Sequence, residues 1–265
     1  MKLAWLTDIH LNFVKPDSRD AFFDGLSVAA PDAIVISGDI AEAPEIALSL
    51  NDLEARLACP IYFVLGNHDF YRGSFAGVRQ KVWALCSAVP NLQHLTHSGV
   101  IALTEQTGLL GHDGWGDARF GTPERWKIAL NDWELIEELR GLNEERLLRK
   151  LNALGDEAAA HFRAILPDAL DRFGELLVVT HVPPFRESCW HQGRISDDNW
   201  LPHFTCKAVG DVLREAMTAH PEKKMTVLCG HTHGAGEAQI LPNLRVLTGG
   251  AEYGRPAMQK PLDVT

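Results

Sequence analysis

Apolar runs recur along this chain, and five of them stop abruptly at side chains that bind metals. Leu3–Thr7 leads to Asp8 and His10, Ala33–Ser37 to Asp39, and Ile61–Leu65 to Asn67, His68 and Asp69. Leu176–Thr180 leads to His181, and Met225–Cys229 to His231 and His233. The second and third runs are nearly continuous in apolar residues, which suits strands covered on both faces, as in a parallel sheet. Helical stretches are expected around Ser18–Ala30, from Pro44 towards Leu57, and near Phe75–Ala88. Strand ends at Asp8, Asp39 and Asn67 lie about 30 residues apart, the size of a βαβ unit. Ligands of such sheets gather at the carboxyl ends of the strands, where the donors are.

Shorter strands are expected at Gly99–Leu103 and Gly108–Gly111, and a last one at Leu244–Thr248. The segment from Thr122 to Phe173 has a different rhythm. Thr122-Pro123 reads as a helix start, a capping hydroxyl followed by proline. Trp126, Leu130, Trp133, Ile136 and Leu139 follow at helical spacing, with Trp126 and Trp133 expected in the core. A second, charged helix is expected from near Asn143 past Gly155 to Leu166, ended or kinked by Pro167. The expectation is one domain over 1–265 with a helical insertion at 122–173.

Composition narrows the setting. The chain has 265 residues, 46% of them hydrophobic, and a formal charge of −10. An acidic chain without a compact basic run is a poor generic partner for nucleic acid or anionic membrane. The five cysteines form no C-x-x-C pair and are expected as reduced thiols. No apolar run approaches the roughly 18 residues of a membrane span, and the N-terminus lacks the apolar core of a signal peptide. A cytoplasmic protein is expected.

The donors themselves are nitrogen and oxygen, with no thiolate. Asp8 and His10 are two apart and would share one face if the strand persisted. Gly38 lets the chain turn beside Asp39, whose two carboxylate oxygens could bridge two ions. Asn67 offers a neutral amide oxygen, and His181, His231 and His233 offer imidazoles. That mixture suits Mn²⁺, Fe or Zn²⁺ better than Ca²⁺ or a structural zinc cage.

The ordered set Asp8-Ile9-His10, Gly38-Asp39, Gly66-Asn67-His68-Asp69, Thr180-His181 and Gly230-His231-Thr232-His233 resembles the calcineurin-like metallophosphoesterases. The one departure is Thr180, where members often carry glycine. The resemblance implies an α/β fold, a four-layer α-β-β-α sandwich of two mixed sheets flanked by helices. It also implies two divalent or trivalent ions, Mn or Fe foremost and Zn as a further choice. Asp8, His10 and His233 would hold the first, Asn67, His181 and His231 the second, with Asp39 bridging. Two ions about 3.5–4 Å apart activate a bridging hydroxide and clamp phosphate oxygens for in-line displacement. His68 would stabilise the phosphoryl oxygens or protonate the leaving alkoxide, with Asp69 orienting it.

Other candidates are substrate contacts. Arg72 follows the G-N-H-D turn, His112 sits in a glycine-rich run, and His191, Arg194 and His203 lie in a long irregular stretch after His181, of the kind usually functional or disordered. Tyr253 and Arg255 follow the last strand. His94, His97, His161 and His220 lie outside any motif and read as ordinary hydrogen-bonded residues. The expected reaction is hydrolysis of a small soluble phosphate ester. A nuclease or cyclic-nucleotide phosphodiesterase of the same family, and a non-catalytic scaffold, are the alternatives. The inserted helices could serve an oligomer.

Overall fold

A computed structural model describes residues 1–57, 59–121 and 128–264. Strands β1 (Lys2–Leu6), β2 (Ala33–Ser37), β3 (Ile61–Val64) and β4 (Leu92–His94) form a parallel sheet in sequential order. Helices α1 (Pro16–Ala29), α2 (Ile46–Arg56) and α3 (Phe75–Ala88) connect them, and α4 (Leu95–Ser98) follows β4. The second sheet is built from β5 (Ile101–Ala102), β6 (Thr107–Gly111), β7 (Glu175–Val179), β10 (Lys224–Cys229), β11 (Gly236–Leu241) and β12 (Leu244–Thr248). Before β7 come α5 (Asp132–Leu135) and α6 (Glu144–Arg172). Between β7 and β10 lie the hairpin β8 (Trp190–His191) and β9 (Arg194–Ile195), then α7 (Leu201–Phe204) and α8 (Lys207–Ala219). The strand β13 (Leu262–Asp263) returns antiparallel to the edge of the first sheet at β1. In the second sheet β6, β7, β10 and β12 are parallel, with β5 and β11 antiparallel at the edges.

The period-two alternation of each strand explains the layers. Leu3 and Trp5 of β1, Val35 of β2 and Tyr62 and Val64 of β3 point to the second sheet, where Leu109, Leu177, Val179 and Leu228 meet them. Their neighbours Ala4, Leu6, Ile34, Ile36 and Phe63 face Phe23 and Leu26 of α1 and Ile46, Leu50 and Leu53 of α2. On the outer face of the second sheet, Leu176, Val178, Val227 and Val246 pack with Phe162 and Leu166 of α6 and Val209, Leu213 and Met217 of α8. The result is a four-layer α-β-β-α sandwich of two mixed sheets. Both faces of the central strands are dry, which is why they read as apolar runs.

Some elements differ from expectation. Thr122-Pro123 and Trp126 lie outside the described residues. Over 128–143 the structure has only the four-residue α5, where periodicity suggested a longer helix. Tertiary pairing overrides the pattern there: Arg72 N donates to Leu135 O, Glu137 N donates to Gly73 O, and Ile136 bridges Gly73. Asn143 caps α6 as expected, accepting from Arg146 N at 3.0 Å. Pro167 does not end that helix, which continues to Arg172 and forms the crossover between the parallel neighbours β6 and β7. The stretch 187–204 after His181 is not one loop, since it holds the hairpin β8–β9 and α7. Among the described residues no helix is long and apolar enough to cross a membrane.

Candidate metal centre

Both sheets send their parallel strand ends to the same edge of the sandwich. Asp8 and His10 follow β1, Asp39 follows β2, and Asn67 and His68 follow β3; His181 follows β7, and His231 and His233 follow β10. Strand alternation does not produce the convergence. Asp8, His10, Asp39, His231 and His233 all have left-handed backbones, with φ of 48, 39, 54, 69 and 55°. Asp and His tolerate that region better than most residues, and its cost of order 1–3 kcal/mol each persists only where the surroundings enforce it. Gly38, at φ 93°, has no room for a side chain: a Cβ there would lie 2.5 Å from His181 Nδ1.

The donor atoms form two overlapping groups. Ligand atoms of Asp8, His10, Asp39 and His233 all lie within 4.8 Å of one another. His10 Nε2 is 3.2 Å from His233 Nε2 and 3.7 Å from Asp39 Oδ2, and His233 Nε2 is 3.4 Å from Asp8 Oδ1. In the second group, Asn67 Oδ1 lies 3.1 Å from His181 Nε2 and 3.0 Å from His231 Nδ1. Asp39 Oδ1 lies 3.4 Å from His181 Nε2, so Asp39 faces both groups with different oxygens. Hydrogen bonds from the backbone brace them: His181 Nδ1 meets Ser37 O at 2.8 Å, and His68 N donates to Asp39 Oδ1 at 2.9 Å.

The electrostatics of this cluster call for positive charge. The recorded ion pairs of the buried Asp8 and Asp39 are all with histidines, none with Lys or Arg. Burial opposes the ionised form of Asp39, yet His181 and His68 hold it well below the usual carboxylate range. Burial likewise opposes a charged His181, yet Asp39 and Asp8 pull it up to about 10. Burial instead keeps His10 down to about 4 and His231 down to about 3, in the neutral form that binds metals. His10 Nδ1 and His231 Nε2 are buried without a hydrogen-bond partner. Two imidazole nitrogens facing each other across 3.2 Å beside two carboxylates suit cations better than each other. The donor set therefore fits two metal ions.

A cavity of about 220 Å³ opens over this cluster, lined by His68, Asp132, Phe204 and Tyr253 among others. Tyr253 Oη is 3.4 Å from His68 Nε2, and its ring lies 4.5 Å from that of His10. Phe204 stands edge-on to His231 at 4.8 Å and stacks on Trp200. Asp132 Oδ1 accepts from Asn67 Nδ2 at 2.9 Å and from Tyr71 Oη at 2.6 Å. Burial raises the Asp132 carboxyl, against the lowering effect of those two hydrogen bonds. Sequence reasoning missed Asp132, Tyr71 and Phe204. Each is a single residue outside a motif, brought in by α5, by the turn after His68 and by α7.

Several expected residues stand elsewhere. The Asp69 carboxylate does not orient the His68 ring; it accepts from the backbone N–H of Ile40, Ala41 and Gly66 at 2.7–2.9 Å. It thereby ties the turn after β2 to the turn after β3. Arg72 is held by Glu42 at 2.7 Å and does not line the cavity. His112 is buried beside His161, accepts from Gly114 N at 3.0 Å, and does not line the cavity. His191 and Arg194 line a neighbouring hollow of about 160 Å³ with Trp200. His191 Nδ1 reaches Thr232 O at 2.9 Å, tying the hairpin to the His231–His233 turn. His203 is buried against Trp133, and Arg255 pairs with Glu252.

The fold has solved counterparts at low identity. The phosphopantetheinyl hydrolase PptH of Mycobacterium tuberculosis superposes with a TM-score of 0.67 at 15% identity, covering 98% of this chain and 95% of that one. A dimetal phosphatase of Danio rerio gives 0.57 at 14%, covering 94% and 87%. TT1561 of Thermus thermophilus gives 0.56 at 14%, covering 94% and 88%. No curated protein matches the chain. The family model of the calcineurin-like phosphoesterases matches residues 1–235, from β1 through the His231–His233 turn, and the chain belongs to that family.

Proposed function

We propose that this protein is a metal-dependent hydrolase of a small soluble phosphate ester, with two cations held at the edge where the sheets meet. The observation that carries the reading is Asp39, whose two oxygens face two separate donor groups. Asp8, His10 and His233 would hold one cation and Asn67, His181 and His231 the other, with Asp39 shared. Bound cations of this kind supply Lewis acidity to the phosphoryl oxygens and to the attacking water. Mn or Fe suits these donors best, with Zn also compatible.

The residues around the pair do the rest. His68 holds its ring between those of His10 and Tyr71, at 4.5 and 4.2 Å. Its Nε2 faces the cavity beside Tyr253 Oη. There it stabilises a phosphoryl oxygen or delivers a proton to the departing alkoxide. Asp69 acts through the backbone, fixing the turn that carries Asn67 and His68. Phe204 and Tyr253 wall the cavity over the reacting centre.

The test is to strip the chain of metal, reload it separately with Mn²⁺, Fe²⁺ and Zn²⁺, and follow bis(p-nitrophenyl) phosphate against p-nitrophenyl phosphate. Two ions per chain and metal-dependent turnover are expected. His68→Ala should keep both ions and lose about 100-fold or more of the turnover, the usual worth of a positioned acid or base. A chain that binds no metal, or a His68→Ala variant with full turnover, would overturn the reading.

A further inference from the structure

We infer that Asp132, which lies outside all five motifs, is a positioning residue that holds the amide oxygen of Asn67 towards the second cation. The inference rests on the metal reading above. A carboxamide is ambivalent: a half-turn exchanges an acceptor oxygen for a donor NH₂ with little change of shape. Only the oxygen is a metal ligand, so a site built on Asn needs something that reads the other end of the amide.

The structure supplies two acceptors there. Asn67 Nδ2 donates to Asp132 Oδ1 at 2.9 Å and to Tyr71 Oη at 3.1 Å. Tyr71 Oη gives its own proton to the same Asp132 oxygen at 2.6 Å, which leaves its lone pairs for the amide. Asp132 Oδ1 accepts in either protonation state, because a proton on the carboxyl would sit on the other oxygen. A flipped amide would press its oxygen against two acceptors and turn NH₂ towards His181 and His231. The opposite arrangement is observed, with Oδ1 3.1 Å from the His181 imidazole and 3.0 Å from that of His231.

The placement of Asp132 does not depend on a metal. Its short helix is bonded to the segment after Asn67 through Arg72 N to Leu135 O at 2.7 Å and Glu137 N to Gly73 O at 3.0 Å. Among the described residues its recorded hydrogen-bond partners are Asn67 and Tyr71, and it pairs with no Lys or Arg. His68 is the one cationic side chain that lowers the Asp132 carboxyl by its charge, and burial outweighs it; a carboxyl buried at that cost beside Asn67 has its explanation in what it orients.

The experiment titrates the metal-stripped full chain with Mn²⁺, counting bound ions and reading the spin-coupled pair by electron paramagnetic resonance. Wild type is expected to bind two ions. Asp132→Ala should bind the first unchanged and the second about 10–100-fold more weakly, the usual effect of removing an outer-shell partner. Asp132→Asn, whose own amide oxygen still accepts, should recover most of that loss. Tyr71→Phe keeps the test available should truncation of Asp132 cost the fold. It removes one of two acceptors and should weaken the second site several-fold while sparing the first. Unchanged second-site affinity in these variants, equal loss at both sites, or failure of Asp132→Asn to recover would overturn the inference. Absence of metal from wild type would instead overturn the reading on which it rests.

Discussion

Asp113 joins the two sheets behind the candidate centre, and its removal gives a measurable quantity. Its buried carboxylate accepts from Leu65 N at 2.8 Å and Thr96 Oγ1 at 2.9 Å, pairs with His94 Nε2 at 2.7 Å, and pairs with Arg79 Nε at 3.3 Å. Its carbonyl accepts from His181 N at 3.0 Å. Asp113→Ala leaves Leu65 N–H and His94 without their acceptor, and leaves Arg79 with Glu157 alone. Removing one partner of a buried ion pair costs about 3–5 kcal/mol. At about 2–4 °C per kcal/mol for a chain of this size, Tm should fall by about 6–20 °C. The assay is thermal unfolding with a chelator present, so that metal binding adds nothing to either protein. Burial works against the Asp113 carboxylate, but His94 and Arg79 hold it well below the usual range. A depressed native carboxylate stabilises in full above the unfolded value of about 3.9, and loses that contribution as pH falls through its native one. The Tm gap should therefore hold from about pH 5 to 8 and narrow in acid. A fall under about 3 °C, or a gap that widens in acid, would refute the reasoning.

Three other outcomes are expected. Gly66→Ala would set a Cβ on Asp39 Oδ1 and the His181 ring, so metal counting on the purified variant should find the second ion lost. Tyr253→Phe removes the hydroxyl beside His68 from a half-exposed residue; turnover should drop about 2–12-fold, the worth of one neutral hydrogen bond, with Tm unchanged. Burial pushes the Cys206 and Cys229 thiols up to about 12 and raises buried Cys189 as well. A disulfide reagent should spare these three in the native chain and modify all five cysteines in denaturant.

The sheets were legible because their strands are buried on both faces. Ile34 and Val35 point to opposite layers, yet both had to be apolar, and the run announced itself. The donors were legible because each ends such a run. What escaped was set by tertiary contact. The stretch 128–143 carries helical spacing, but Gly73 and Arg72 pull it into a bridge, so the pattern records which residues are buried and not the backbone they adopt. Helix α8 was missed although Val209, Val212, Leu213 and Met217 recur at its spacing. Asp69 was misassigned because proximity in sequence to His68 says nothing about where a side chain points. Asp132 had no local signal, since its meaning lies in Asn67, 65 residues away.

The seam between the sheets also sets a timetable. His233 follows His10 by 223 residues, and His181 comes late as well. At about 5–20 residues per second of synthesis, roughly 10–45 s separate the first donors from the last. During that interval the growing chain can shape its first sheet, with Asp8, His10, Asp39 and Asn67 at its edge and nothing opposite them. A cation meeting that half-site finds no imidazole wall from the second sheet. Under the proposed reading, loading of the pair belongs after His181, His231 and His233 have joined the donors of the first sheet, and it would report that the two halves of the sandwich have met in register.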